Sequence, residues 1–330
     1  MGQKKIRVGF IGCGRVAENH YKAVLNCTSA RLTAVSDINE SLAMERAKNW
    51  GARFVPCNEI CNSEDVDAVF VLTPCETHYQ YVERALSAGK HVLVEKPVSL
   101  DYREIEKMGE LADKAGRVCM PGHSYIYLPE LQRMLKMVRK KEIGIPTSMF
   151  MSEIYLMPQE LVAKYHGPLQ EVLCHQIYLM LAYMGTPSRI HAFAGCFRKA
   201  LIPTGDEQVT VNAEFENGAL AHLFVSWAGE DETSDPWTFK VKILGSDGGL
   251  HFSRRDAVNG VGPGKAPWNY PLYDEMFESE VDYFINKCII QGEQPVSTIS
   301  DAAAAMRILD AVKSSIRNKT VENIEKKVQR

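Results

Sequence analysis

Over residues 6–122 the chain alternates between two kinds of apolar pattern. Short, nearly continuous apolar runs at Arg7–Ile11, Leu32–Ser36, Arg53–Val55, Ala68–Leu72, His91–Glu95 and Val118–Pro121 read as buried strands. Between them, Ala17–Leu25, Ser41–Trp50, Tyr79–Ser87 and Tyr102–Ala115 repeat apolar residues at helical spacing, with polar residues between. Strand and helix in alternation predict a doubly wound parallel sheet with right-handed crossovers and helices on both faces. Ligands bind such sheets outside the carboxyl ends of the strands.

The pattern changes near residue 123. Helix Glu130–Arg139 leads to strand Thr147–Leu156 and to a very apolar helix, Pro168–Tyr183. Strands Ile190–Phe197, Gln208–Glu216, Leu220–Ala228 and Trp237–Gly245 follow, with Gly218 and the Ser246–Gly249 run marking hairpin turns. Helices Tyr273–Gln291 and Asp301–Lys319 close the chain, and Gly260–Pro267 reads as a loop. These segments predict an α+β domain with a largely antiparallel open sheet. The expected division is 1–122 and 123–330, with the C-terminal helix able to pack back on the first domain.

The first strand runs into Gly12-Cys13-Gly14-Arg15-Val16-Ala17, a G-x-G-x-x-A turn that opens a helix. Gly12 suits the tight turn, Gly14 lets backbone approach a pyrophosphate, and Ala17 lets helix and strand pack closely. The helix start offers free N–H groups and a partial positive charge to phosphates. Asp37 ends the second strand, about where a carboxylate would bond the adenosine ribose hydroxyls. A carboxylate there repels a 2′-phosphate, which favours NAD over NADP; Arg15 could hold such a phosphate and keeps NADP open.

Composition narrows the partners. With 330 residues there is core enough for two domains, and the net charge of −3 is spread in mixed signs, against a nucleic-acid or acidic-membrane partner. The first strand begins at once after Lys5, with no signal peptide or membrane span expected. Nine scattered cysteines suggest reduced thiols in a cytoplasm; Cys57 and Cys61 lack a second ligand pair, and no metal is expected.

Chemistry gathers at strand ends. Thr73, Pro74 and His78 follow the fourth strand and Glu95 and Lys96 end the fifth, so these residues are candidate cofactor contacts at ends that would face the nicotinamide half. A lysine partly desolvated at such an end can serve as a general acid or base. Glu171 and His175 stand four apart on the apolar Pro168–Tyr183 helix, so both would face one way. Taken alone, a buried helix histidine is more often a satisfied core residue than a catalyst.

The stretches GFIGCGRVA, TPCETH and GKHVLVEKPVSL resemble the glucose–fructose oxidoreductase/inositol dehydrogenase/MocA family, strongly up to about residue 120 and more weakly beyond. The resemblance implies an N-terminal Rossmann domain and a C-terminal domain whose open sheet mediates homodimers or homotetramers. It implies hydride transfer between NAD(P) and a carbon bearing a hydroxyl on a sugar or cyclitol. The family's EKP lysine falls on Lys96, and its acid-and-histidine helix falls on Glu171 and His175.

The departures lie in the second half of the motif set. Glu171 replaces the usual Asp, Leu173 a glycine, Tyr178 an acid and Cys75 an asparagine. His123, Tyr125 and Tyr127 stand in a segment that usually carries two arginines. His123, Tyr125, Tyr127 and Tyr155 are candidate substrate contacts, the tyrosines by stacking on a ring, with core aromatics as the competing reading. Either Lys96 or His175 would take the hydroxyl proton, with Glu171 orienting His175. Two other readings are an NAD-dependent glycosidase or lyase that oxidises its sugar transiently, and a non-catalytic NAD(H) sensor.

Overall fold

The computed structural model describes residues 5–162, 165, 167–198, 206–231, 238–253 and 271–325. In chain order the first elements are β1 (Ile6–Ile11), α1 (Arg15–Asn26), β2 (Ala30–Ser36), α2 (Glu40–Trp50), β3 (Arg53–Phe54), β4 (Ala68–Val71), α3 (His78–Ser87), β5 (His91–Glu95), α4 (Tyr102–Ala115) and β6 (Cys119–Gly122). A 3₁₀ turn (Ser124–Tyr127) leads to α5 (Pro129–Arg139), β7 (Pro146–Ile154), α6 (Gln159–Val162), α7 (Pro168–Glu171) and α8 (Leu173–Met184). Then come β8 (Arg189–Gly195), β9 (Gln208–Glu214), β10 (Leu220–Ser226), β11 (Lys240–Gly245) and β12 (Gly248–Ser253). The chain closes with α9 (Pro271–Asp282), a π-helical stretch (Tyr283–Ile290), α10 (Ile299–Asn318) and β13 (Glu322–Asn323).

Contacts group the chain into two compact units, one from Met1–Pro129 and Gly260–Ala303, the other from Glu130–Asn259 and Ala304–Arg330. The sequence pattern set the division at 122/123. The first unit also takes α9 and the π-helical stretch, for a physical reason. Met276, Phe277, Val281, Phe284 and Ile285 form an apolar stripe at helical spacing and are all buried.

In the first unit the sheet order is β3-β2-β1-β4-β5-β6 and every pair is parallel. This is the strand order of a dinucleotide-binding sheet. All four residues of β4 are 0% exposed, which explains why that run carries no polar alternation. Phe10 stacks on Phe70, and Phe284 meets Phe70 edge-on. Each such ring removed from water contributes about 1.5–3 kcal/mol. The helices are punctuated as their sequences require. Asn39 caps α2 by accepting from the Leu42 amide, Asp101 caps α4 by accepting from Arg103, and Gly51 and Gly116 end these helices at positive φ.

The second unit holds a seven-stranded sheet in the order β12-β11-β7-β10-β9-β8-β13. Its ladders are antiparallel except β7 with β10, which is parallel, so the sheet is mixed. One face is buried through Met149, Met151, Leu223, Val211, Ile190 and Val241. The other leaves Phe150, Phe193, Leu220 and Leu244 exposed. The period of two fixes this division, since alternate side chains leave a strand on opposite faces.

The single helix expected at 168–183 needs correction, and two strands appear that the pattern did not predict. Helix 168–183 is two helices, α7 and α8, parted at Val172. There the His175 amide bonds Val172 O, three residues back, and the Cys174 thiol donates to Glu171 O. β12 continues the hairpin after Ser246-Asp247, and the short β13 adds an edge. The expected strand start at Trp237 and the expected loop at Gly260–Pro267 lie outside the described residues. Among those described, no helix is long and apolar enough to cross a membrane, and no group of three or more His, Cys, Asp or Glu is placed to hold a metal.

Candidate active site

The glycine turn leaves β1 at Gly12, whose φ is +101° and whose amide donates to Ser36 O. A Cβ there would lie 2.6 Å from Leu72 O, so the turn admits glycine alone. Gly14 is the opposite case: a Cβ would meet nothing within 4 Å, and Gly14 and Arg15 are both exposed. Ala17 is fully buried beneath α1. Gly14 is also the N-cap of α1, and no side chain caps that helix, unlike α2 and α4. The open backbone approach and the uncapped helix start fit a pyrophosphate.

Cys13 and Asp37 complete the cradle. The Cys13 amide donates to Asp37 Oδ2 at 2.7 Å, and the Asn39 amide donates to Asp37 Oδ1 at 2.8 Å. The carboxylate is thereby fixed at the end of β2, half-buried, beside Ile38, which is 94% exposed. The Cys13 thiol is buried and donates to Ser36 O; burial and the Asp37 charge push its pKa up to about 12, so it is an inert thiol. Val16 is half-buried in the first turn of α1.

The ends of β4 and β5 are tied together by His78. Its Nε2 lies 2.7 Å from Thr73 O, and its Nδ1 lies 3.0 Å from Pro97 O and 3.2 Å from Val98 O. Burial lowers the His78 pKa, with the three carbonyls opposing. Thr73 also accepts from the Thr77 hydroxyl, and Pro74 is exposed. Glu95 is buried, with Oε1 2.8 Å from His20 Nε2 and Oε2 accepting from the Lys96 amide at 2.9 Å. Burial pushes Glu95 up, but His20, the Lys96 charge and the Lys96 amide outweigh it and hold the carboxyl below its ordinary range. Lys96 itself is half-buried.

The candidate substrate residues of this unit sit deeper. His123, Tyr125 and Tyr127 are 3–5% exposed. His123 Nδ1 is 2.7 Å from the Ser297 hydroxyl, and burial together with the Lys96 charge pushes its pKa down to about 3. Tyr127 donates to Met120 Sδ, and its ring lies tilted against Tyr283. That placement is a packed aromatic with a satisfied hydroxyl.

In the second unit, Glu171 is half-buried at the end of α7 and His175 is buried in the first turn of α8. They stand on successive helices rather than one face of a single helix. His175 Nδ1 lies 2.8 Å from the Tyr178 hydroxyl, and Tyr178 is 1% exposed. Tyr178 is thus a hydrogen-bond partner of His175, a contact the sequence reading did not assign; its position one turn beyond His175 was the available signal. Gly167, at φ +88°, starts α7, and the Asp206 carboxylate accepts from the Leu169 amide. Tyr155 is half-buried beside Trp227.

A six-stranded parallel sheet in this order, a glycine turn open to phosphate and a fixed carboxylate at the end of β2 define a dinucleotide-binding protein of the oxidoreductase type. Two family descriptions agree with that reading. The oxidoreductase family with an NAD-binding Rossmann fold matches residues 6–123, and the GFO/IDH/MocA C-terminal domain matches residues 131–251. The chain belongs to the Gfo/Idh/MocA family and is an NAD-dependent oxidoreductase.

It is 24% identical to inositol 2-dehydrogenase of Rhizobium meliloti (strain 1021) over 95% of this chain and 98% of that one. It is likewise 24% identical to scyllo-inositol 2-dehydrogenase (NAD(+)) of Bacillus subtilis (strain 168), over 96% of this chain and 95% of that one. The structure of scyllo-inositol dehydrogenase from Lactobacillus casei with bound NAD(H) and scyllo-inositol superimposes with a TM-score of 0.82 at 20% identity, covering 97% of this chain and 99% of that one.

Proposed function

We propose that the protein oxidises a secondary hydroxyl of a cyclitol or related polyol, or reduces the matching ketone, with NAD as the hydride partner. The observation that carries this is likeness along nearly the whole chain to inositol 2-dehydrogenase, at 98% of that relative's length. When bound, the oxidised nicotinamide accepts a hydride from carbon. The residues of the chain do the rest. Gly12, Cys13, Gly14, Arg15, Val16 and Ala17 form the pyrophosphate turn. Asp37 takes the ribose hydroxyls and, as a fixed carboxylate, opposes a 2′-phosphate. Thr73, Pro74, His78 and Glu95 shape the ends of β4 and β5.

Lys96 in the first unit and His175 in the second are the candidate groups for the hydroxyl proton, as base or as stabiliser of charge on oxygen. Tyr178 fixes the ring of His175, and Glu171 stands near the same turn. The buried settings of His123, Tyr125 and Tyr127 favour a supporting role for them over direct contact with a sugar, and Tyr155 is the more accessible of the four.

The exposed face of the second sheet, with Phe150, Phe193, Leu220 and Leu244, supports homo-oligomerisation, which sedimentation of the wild type and of Phe150→Lys would read. Nine cysteines scattered along the chain support a reducing, cytoplasmic setting. The function is tested with a panel of inositol isomers and sugars followed at the nicotinamide absorbance. NADH formation on at least one cyclitol is expected. Product formation with no net change in absorbance would favour the transient-oxidation reading, and NAD binding with no turnover across the panel would favour the sensor.

A further inference from the structure

His20 lies on the buried stripe of α1 and is 0% exposed. Its Nε2 is 2.8 Å from Glu95 Oε1, a contact across 75 positions of chain. An ionised carboxylate only accepts hydrogen bonds, so the imidazole donates this one. Among the described residues Nδ1 has no partner, and the polar function of the ring is spent on Glu95. Two aromatic neighbours set the plane of the ring. Its centroid is 5.6 Å from that of Phe70 on β4 and 5.0 Å from that of Phe277 on α9, edge-on in both cases.

Packing alone does not account for the pair. The other buried positions of α1 are Ala17, Ala23 and Val24, and β5 buries Val92, Leu93 and Val94 ahead of Glu95. Exchanging a buried ionic pair for apolar side chains of like volume is often neutral or stabilising. What the pair does is visible at the second oxygen. Glu95 Oε2 accepts from the Lys96 amide at 2.9 Å. On the far side of Lys96, His78 Nδ1 lies 3.0 Å from Pro97 O and 3.2 Å from Val98 O. The backbone that carries the Lys96 side chain is thus held from both directions.

The carboxylate has little room to leave this arrangement. Gly122 of β6 pairs with Glu95, and a Cβ there would lie 3.2 Å from Glu95 Cα and 3.5 Å from its carboxyl carbon, so the β6 backbone closes that side. A glutamate with a free oxygen turns about its side-chain bonds, and His20 removes that freedom by engaging Oε1. We infer that His20 is a positioning residue for hydride transfer: by locking the Glu95 carboxylate it fixes the backbone of Lys96 and so the place of the lysine amine. The inference rests on the proposed role of Lys96 at the hydroxyl proton, and His20 touches no reacting atom. Misplacing a reacting group by about 1 Å can cost about a hundredfold in rate, so losing the lock should show in the chemical step and not in NAD affinity.

The test is a double-mutant cycle on the full-length protein. It is read as the rate of NADH formation in a single turnover, saturated with NAD and given the best cyclitol of the panel, beside calorimetric titration with NAD. His20→Leu should slow the turnover by about tenfold or more while the NAD dissociation constant stays within about twofold. His20→Gln, whose amide can donate from near the place of Nε2, should recover most of that rate. In Lys96→Met, adding His20→Leu should change the rate by less than about twofold, since residues that act through one another are not additive. A His20→Leu protein that turns over at the wild-type rate overturns the inference. So does a loss as large in Lys96→Met as in wild type, because His20 would then act independently of the lysine. A His20→Gln protein as slow as His20→Leu overturns the part given to the hydrogen bond. If His20→Leu does not fold, Glu95→Gln takes its place in the cycle, since its amide cannot supply both acceptors; a loss that disappears in Lys96→Met supports the inference and an additive loss overturns it. Lys96→Met at the wild-type rate would instead overturn the reading of Lys96 beneath it, and absence of NADH formation in the wild type would overturn the proposed function.

Discussion

Alanine at Gly12 and alanine at Gly14 should fail in different ways. At Gly12 the backbone has φ +101°, and the added Cβ would lie 2.6 Å from Leu72 O, 2.7 Å from Leu72 C and 3.0 Å from Thr73 N. All three are backbone atoms, so no side chain can swing aside. The strained dihedral costs roughly 1–3 kcal/mol. Forcing an atom into packed backbone costs about 1–3 kcal/mol more. Gly12→Ala should therefore lose about 2–6 kcal/mol of the 5–15 kcal/mol that holds an ordinary domain together.

Gly14 has φ −70° and open space around its Cβ position. Gly14→Ala should leave stability within about 1 kcal/mol of wild type, since a compatible glycine replacement chiefly restricts the unfolded chain. What it should lose is affinity for NAD, by about tenfold or more, equivalent to about 1.4 kcal/mol, because the methyl group stands where backbone must approach the pyrophosphate. Urea denaturation reads the first quantity and calorimetric titration with NAD the second. A stable Gly12→Ala would refute the close-approach argument. A Gly14→Ala protein that binds NAD like the wild type would refute the assignment of this turn to the pyrophosphate.

Three further outcomes are expected. His123, held neutral with a pKa near 3 in the folded chain, takes up a proton at about pH 6.5 when unfolded. Its contribution is thus complete above about pH 6.5 and shrinks as pH falls toward 3, by up to about 1.4 kcal/mol per unit. Urea denaturation should show His123→Gln gaining on wild type between pH 7 and 5, and a gap that widens against the variant on acidification would contradict the burial argument. Tyr178→Phe removes the partner of His175 Nδ1. It should cost about 1 kcal/mol of stability and lower kcat about tenfold or more with the NAD dissociation constant unchanged; kinetics that match wild type would mean that the hydroxyl does not orient the ring. Asp37→Ser removes the fixed carboxylate, so fluorescence titration should show NAD affinity falling and the NADP-to-NAD affinity ratio rising; an unchanged ratio would take Asp37 out of cofactor selection.

The first unit was legible because its signals are local. A strand buried on both faces writes a continuous apolar run, and a helix on its face writes a 3.6-residue period; β5 and α4 were read to the residue. Gly12 was equally readable, since only one residue type tolerates that turn. The second unit was harder. The break between α7 and α8 depends on Val172 and on a thiol bonding a carbonyl, neither of which disturbs the hydrophobic period. The parallel pairing of β7 with β10 is a matter of topology, which alternation along a strand does not encode. Glu280 and His20 were visible in principle as polar residues on apolar stripes, Glu280 among Met276, Phe277, Val281 and Phe284, and His20 among Ala17, Ala23 and Val24. What the stripe could not reveal is that His20 meets Glu95, because that contact joins residues 75 positions apart in the chain.

The most direct measurement is the rate of NADH formation in a single turnover, with wild type and Lys96→Met each saturated with NAD and given the best cyclitol of the panel. Wild type should form NADH rapidly, and the variant should bind NAD as tightly yet form NADH about 10²–10⁴ times more slowly, the usual range for losing a positioned acid or base. A Lys96→Met protein that transfers hydride at the wild-type rate would contradict the account.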